Sequence, residues 1–178
     1  LDDESSSAVE VDRNFPNINF TNPTKPNNTN TTFPSILVNV TASDDIGLVL
    51  INITLFRGLT LINSTSSASL PLFINFSNLD TDGNYTINAT AKDIIGNQNV
   101  TETRIVRIDR QAPNVAFGST TLVNGTYNRQ SVFIEAVFSD STSGIDFVNI
   151  SIYNSTFDIV GSSQRRNATL LAVNFRNL

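Results

Sequence analysis

A pattern of alternating apolar and polar residues, present in two copies, constrains the fold of this chain more than any other feature of its sequence. Residues 9–20 return as residues 106–117, residues 36–44 as 132–140, and residues 74–79 as 173–178. Within each copy the alternation has a period of two and is bounded by Gly, Pro, Asn, Asp and Ser, which is typical of β-strands. No stretch combines a sustained helical period with helix caps. The sequence therefore predicts two similar arrays of short strands.

The alternation also predicts which side chains form the core of the first copy. About seven short strands per copy, separated by turn signals, predict an antiparallel sandwich of the immunoglobulin type. The positions expected to face inward are Ile36, Val38, Val40, Ala42, Ile51, Ile53, Leu55, Leu70, Leu72, Ile74, Phe76, Tyr85, Ile87, Ala89 and Ala91. The positions expected to face solvent are Asn39, Thr41, Asn52, Thr54, Asn75, Asn84, Thr86, Asn88 and Thr90.

One turn has the composition of a tyrosine corner. Residues 79–85 read Leu-Asp-Thr-Asp-Gly-Asn-Tyr and precede an alternating strand. In immunoglobulin-type sandwiches such a Tyr opens the sixth strand, and its hydroxyl binds backbone a few residues upstream. We predict this role for Tyr85, the alternative being an ordinary Asp-Gly turn before an aromatic strand residue.

Acceptor sequences for N-glycosylation are unusually dense. The chain has 178 residues and fourteen Asn-x-Ser/Thr triplets, whereas random placement of its Asn, Ser and Thr would give about five. The triplets begin at Asn19, Asn27, Asn30, Asn39, Asn52, Asn63, Asn75, Asn84, Asn88, Asn99, Asn124, Asn149, Asn154 and Asn167. Asn and Thr two residues apart could simply share the solvent face of a strand, but Asn is a poor strand residue. We therefore predict that most of them carry glycans and that the protein is extracellular.

The composition excludes several classes of function. There is no Cys, His, Met or Trp, so the usual general base, thiol nucleophile and soft metal ligands are absent. Glu occurs only four times, with no pair suggested for glycoside hydrolysis. A net charge of −5 without clustered Lys or Arg argues against nucleic acid. No apolar run is long enough to span a membrane. We predict a protein that is not an enzyme.

Three short runs carry a resemblance to a known family. Residues 42–47 read Ala-Ser-Asp-Asp-Ile-Gly, residues 83–97 run from Gly-Asn-Tyr-Thr to Ile-Gly-Asn, and residues 108–113 read Ile-Asp-Arg-Gln-Ala-Pro. These runs resemble the tandem immunoglobulin-like domains of prokaryotic cell-surface proteins. The many acceptor triplets and the lack of Cys are similar to archaeal surface layers, pili and filaments. The resemblance implies a tandem scaffold, not an activity.

The repeat predicts the domain organisation. We assign residues 1–13 to the last strand of a preceding repeat or to a donor strand, residues 14–110 to the first domain, and residues 111–178 to an incomplete second domain. Because Leu178 aligns with Leu79, the second copy stops before its sixth and seventh strands. We expect its open side to be covered by the continuing chain or by another subunit, unless the copy is a shorter sandwich. Residues 21–34 are predicted to be a glycosylated loop.

Acidic residues near the predicted junctions suggest a metal site. Asp44, Asp45, Asp93 and Asp109 form the predicted calcium site, and Asp12 and Asp140 lie near the junctions as well. Ca²⁺ takes oxygen ligands in irregular geometry, which converging loops can supply. The alternative is that each Asp starts a turn and binds its own backbone.

Two functions follow from the sequence. The first is a structural extracellular module of a prokaryotic, archaeal-type filament, pilus or surface layer, in contact with copies of itself or neighbouring repeats. The second is an adhesin or a carbohydrate- or protein-binding accessory module. Its candidate contact residues are the aromatic side chains Tyr127, Phe147, Tyr153 and Phe157.

Overall fold

The computed structural model describes residues 11–126 and 131–176, which are all-β. They form two compact units that divide between Asp109 and Arg110. The described residues contain no helix, and therefore none long and apolar enough to cross a membrane. The first unit contains β1 (Asn17–Thr21), β2 (Thr29–Thr31), β3 (Ile36–Ser43), β4 (Leu48–Arg57), β5 (Thr60–Ser67), β6 (Leu72–Phe76), β7 (Gly83–Asp93), β8 (Gln98–Val100) and β9 (Arg104–Ile108). The second contains β10 (Asn114–Phe117), β11 (Ser131–Ser139), β12 (Phe147–Tyr153), β13 (Ile159–Arg166) and β14 (Leu170–Arg176).

The first unit is a two-sheet sandwich. One sheet has the strand order β1-β3-β6. The other has the order β2-β9-β7-β4-β5, and β8 also pairs with β7. All pairings are antiparallel except that of β2 with β9. This order is that of the predicted immunoglobulin-like sandwich.

The core of the first unit lies between the inward faces of these sheets. Val38 on β3, Ile53 on β4 and Ile87 on β7 are completely buried. On each of these strands, the residues directly before and after the buried one are more exposed. The predicted alternation is therefore confirmed along all three strands. Burial of alternating apolar side chains from both sheets is the main stabilising contribution to such a sandwich.

The second unit repeats part of this arrangement. Strands β10, β11 and β14 form one sheet, in that order, and β12 pairs with β13. They correspond in the repeat to β1, β3, β6, β4 and β5. Its buried core consists of Ala136, Val148, Ile150, Ala168, Leu171 and Phe175.

The predicted tyrosine corner is confirmed. Tyr85 is buried with 2% of its surface exposed, and its hydroxyl donates a 2.7 Å hydrogen bond to the carbonyl oxygen of Thr81. Gly83 lies between them with a φ of 135°, a conformation that residues with a Cβ rarely adopt. The bond therefore ties the turn to the start of β7.

Two predictions of local structure are wrong. Leu70 was expected to face the core but is 42% exposed, because β6 begins only at Leu72 and Leu70 lies in the preceding connection. Residues 21–34 were expected to be a loop throughout, but they contain β2. This short strand satisfies its backbone groups by parallel pairing with β9, from Thr29 opposite Val106 to Thr31 opposite Ile108.

Candidate functional site

Three aspartates from separate parts of the first unit converge at one end of the sandwich. Asp12 precedes β1, Asp44 follows β3 directly, and Asp93 is the last residue of β7. One carboxylate oxygen of each lies within 4.8 Å of those of the other two. Among residues 11–126 and 131–176 this is the one such group of three acidic side chains.

Asp93 is the most deeply buried member of the group. Its side chain is inaccessible to solvent, and its Oδ1 accepts hydrogen bonds from the backbone amides of Ile95 at 2.9 Å, Gly96 at 2.6 Å and Asn97 at 2.8 Å. Burial raises the pKa of Asp93, but the hydrogen bonds from Gly96, Asn97 and Ile95 outweigh it and lower that pKa below the usual 3.8. The side chain of Asp93 is therefore ionised at neutral pH. The side chain of Asn97 also contributes to lowering this pKa, but the buried Oδ2 accepts no hydrogen bond of ordinary geometry.

The two carboxyl oxygens of Asp44 differ in the same way as those of Asp93. Its Oδ1 accepts the backbone amide of Ile46 at 3.1 Å, whereas its Oδ2 is buried without a partner. Asp12 is half-buried, and its Oδ1 accepts the amide of Asn14 at 2.8 Å. Two buried carboxyl oxygens thus lack hydrogen bonds beside a third acidic side chain. Such an arrangement is costly unless a cation or a proton compensates it.

The structure brings together only part of the predicted calcium site. Asp44 and Asp93 belong to the group, together with Asp12. Asp45 lies outside it, and its Oδ2 accepts the side-chain amide of Asn14 at 2.8 Å. Asp109 is also outside the group; it is buried just after β9, and its amide donates to the carbonyl of Thr31 at 3.0 Å.

The repeat narrows the third member of the group to Asp12 or Asp109. In the two copies of the sequence, Asp12 and Asp109 occupy the same position before the first strand of a domain. The residue that joins Asp44 and Asp93 is therefore the one that precedes their own domain. Asp140, the counterpart of Asp44, accepts on its Oδ1 the amides of Thr142, Ser143 and Gly144.

A shallow recess adjoins the aspartate group, and the second unit has its counterpart. The recess in the first unit has a volume of about 350 Å³ and is lined by Asn14, Phe15, Asn17, Ser43, Asp44 and Asp45. In the second unit, a recess of about 270 Å³ is lined by Gln111, Ala112, Asn114, Ser139, Asp140 and Ser141. These residues align one by one in the repeat, so both units build the same end of the sandwich. Among the described residues, three carboxylates meet only in the first.

The glycan-acceptor residues lie mostly on the surface. Exposed side chains occur at Asn19, Asn27, Asn30, Asn63, Asn75, Asn84, Asn99, Asn124, Asn149, Asn154 and Asn167. The side chains of Asn39, Asn52 and Asn88 are half-buried. N-glycosylation modifies the side-chain nitrogen, so access to that atom decides whether a folded site can carry a sugar.

Some acceptor amides are engaged in hydrogen bonds. Asn39 donates from Nδ2 to the carbonyl of Asn22 at 3.0 Å, and its Oδ1 is buried without a partner. Asn88 accepts the hydroxyl of Thr54 on the facing strand. Exposed acceptors can also donate from Nδ2, as Asn99 does to the carbonyl of Pro16 at 2.8 Å, so partial burial and not the hydrogen bond distinguishes Asn39 from them.

Comparisons with known proteins give little further information. No family model matches the chain, and no curated protein matches it. Among solved structures, the chain is similar to the fibronectin(III)-like modules of Clostridium thermocellum CbhA, with 18% sequence identity and a TM-score of 0.41, over 90% of this chain and 79% of that chain. Because a TM-score of 0.41 is too low to equate two folds, the fold assignment rests on the strand order and core of this chain.

Proposed function

We propose that this chain is a structural, heavily N-glycosylated extracellular module of a prokaryotic surface filament, pilus or surface layer of the archaeal type. The module is joined head to tail to neighbouring repeats or to copies of itself through its immunoglobulin-like domains. The single observation that supports this most directly is that eleven of the fourteen acceptor Asn side chains are exposed. A site for catalysis is not part of the proposal.

The surface chemistry supports the same function. Charged residues make up only 15% of the chain, compared with about 25% in ordinary soluble domains. Glycans on outward strand positions would add hydration to a surface that carries few charges. They would also shield the strands from proteases.

Two measurements on material from the producing cells test this proposal. Mass spectrometry of intact glycopeptides should find sugars on most of the exposed acceptors, and electron microscopy should show this chain within a regular polymer. Unmodified acceptors throughout, or dispersed monomers, would reject it. The half-buried Asn39 serves as an internal reference for a poorly accessible site.

We further propose that the group of Asp12, Asp44 and Asp93 binds Ca²⁺. The ion takes about six to eight oxygen ligands and favours carboxylates, and the unpartnered Oδ2 atoms of Asp44 and Asp93 supply two. Binding would link the segment before β1 to the ends of β3 and β7. It would thereby stiffen the end of the domain that faces a preceding repeat in a head-to-tail array.

Calcium titration of the full chain tests this site. Ca²⁺ should raise the Tm of the first unit, and a concentration one hundred times the Kd should add about 2.7 kcal/mol. Asp12→Asn should weaken Ca²⁺ binding and, because Asp12 is only half-buried, should leave the buried residues of the site in place. Asp93→Asn should abolish Ca²⁺ binding. Asp45→Asn is the matched control, because Asp45 lies beside the group but outside it. An equal response of D45N and D12N, or no effect of chelators on Tm, would reject calcium binding.

A second function, adhesion or binding to a carbohydrate or protein, is favoured by exposed aromatic side chains in the second unit. Phe147 is 51% exposed, Tyr153 55% and Phe157 86%. Tyr127, the fourth predicted contact residue, lies outside the described residues. Binding of dispersed monomers to a glycan array, lost on Phe157→Ala, would favour this function over the structural one.

A further inference from the structure

The two units differ at one sheet edge. In the first unit β4 is a central strand, paired with β5 on one side and β7 on the other. Its counterpart β12 pairs with β13, and no other strand among residues 11–126 and 131–176 pairs with it. The strands at the remaining edges of the second unit, β10, β14 and β13, correspond to β1, β6 and β5, which are also edges in the first. Of the strands that the structure describes, β12 alone has changed from a central to an edge strand.

The core beside this edge is less well covered than in the first unit. Three completely buried residues of the first unit, Ile36, Val38 and Leu55, correspond to the half-buried Val132, Ile134 and Ile152. In the first unit, Ile36, Val38 and Leu55 belong to the same buried cluster as the inward residues of β7, a strand that has no counterpart among the described residues of the second unit. Partly exposed apolar side chains along an unpaired strand edge favour the binding of another strand.

We propose that the free edge of β12 is a binding site for one further β-strand of the β7 type. The first unit defines the partner, because it holds such a strand at the equivalent place. The partner is an extended polypeptide segment, antiparallel to β12, with apolar residues at alternate positions and small polar residues between them. Its backbone would pair with β12, and its apolar side chains would cover the partly exposed Val132, Ile134 and Ile152.

The register of β4 with β7 makes the partner more specific. Ile51 lies opposite Ala91, Ile53 opposite Ala89 and Leu55 opposite Ile87. By the repeat, Val148, Ile150 and Ile152 should face two small residues and then a large one. Ala89 and Ala91 are completely buried in the first unit, so larger residues at those places would overpack the core. The site should therefore select strands by residue size as well as by alternation.

Hydrogen exchange on the full chain tests this site. A second copy of residues 80–108 is appended after Leu178, the position that aligns with Leu79, so that the strand is tethered in register. Amides of β12 should then exchange more slowly by about tenfold or more than in the unmodified chain. The amides of β4 serve as an internal reference for the intact first unit.

The matched control changes only the pattern of the appended strand. In this control the residues copied from Ile87 and Ala89 are replaced by Asp, and β12 should exchange as fast as in the unmodified chain. Equal exchange with both appended segments would overturn the proposal. So would a dimer of the unmodified chain in light scattering with β12 already protected, because the edge would then be occupied by a second copy.

Discussion

At the scale of single residues, buried hydrogen bonds fix the turns that the strands depend on. The Tyr85 hydroxyl donates to the carbonyl of Thr81 from a side chain that is 2% exposed. Tyr85→Phe keeps the packing and removes only this bond, so we expect the free energy of unfolding to fall by about 1 kcal/mol. Urea unfolding followed by circular dichroism measures it.

The control for this substitution is Tyr153→Phe. Tyr153 is 55% exposed, and surface changes of this kind usually stay within about 0.5 kcal/mol. Equal stability of Y85F and Y153F would show that the corner contributes nothing to the fold.

Asp158 gives a pH-dependent feature at the same scale. Hydrogen bonds from the side chains of Thr156 and Asn154 lower the pKa of Asp158 below its usual 3.8. A carboxyl with a depressed folded pKa stabilises the fold above its unfolded pKa, and the contribution is lost as pH falls through the folded value. The connection between β12 and β13 should therefore loosen only below about pH 3.8.

An NMR titration of the Asp158 side chain measures this pKa directly. Thr156→Val should move the midpoint up towards 3.8, whereas Thr156→Ser, which keeps the hydroxyl, should leave it lowered. If the valine and serine variants titrate alike, the Thr156 hydroxyl is not the cause of the shift.

At the scale of the strand, position decides which acceptors can carry sugars. Asn39 on β3 and Asn75 on β6 belong to neighbouring paired strands, but Asn75 is exposed and Asn39 is half-buried. We expect high glycan occupancy at Asn75 and low occupancy at Asn39. Quantitative glycopeptide mass spectrometry of the secreted protein measures both sites in one sample. Comparable occupancy at the two sites would contradict a role for accessibility.

The sequence predicts those strands in which apolar and polar residues alternate with a period of two. The inward residues of β3, β4 and β7 follow from a period of two, because each strand has one buried and one more exposed face. β2 could not be predicted in this way. Its three residues are held by pairing with β9, which lies far along the chain, and three residues are too few for a pattern.

The same distinction applies to the candidate metal site. Asp44 and Asp93 could be predicted because each stands where an alternating segment ends, and strand ends meet at one end of a sandwich. The third carboxylate could not be chosen between Asp12 and Asp109 without knowing which domain each approaches. Tertiary structure makes that choice, and it selects Asp12.

At the scale of the whole molecule, the two units should differ in stability. Among the residues that the structure describes, the buried core of the first unit contains sixteen and that of the second contains six. Since burial of apolar surface supplies most of the stabilisation, the second unit should unfold at the lower urea concentration. Hydrogen-exchange mass spectrometry in increasing urea follows both, with peptides from β4 and β12 as reporters.

Matched core substitutions assign the two transitions. Ile53 and Ile150 are equivalent in the repeat, with exposed fractions of 0% and 7%. Ile53→Ala should shift only the later transition, by about 2 to 5 kcal/mol, and Ile150→Ala only the earlier one, by less, because its surroundings are already partly open to solvent. One shared transition, shifted by either substitution, would mean that the units fold as one body. Stability would then not follow the size of each core.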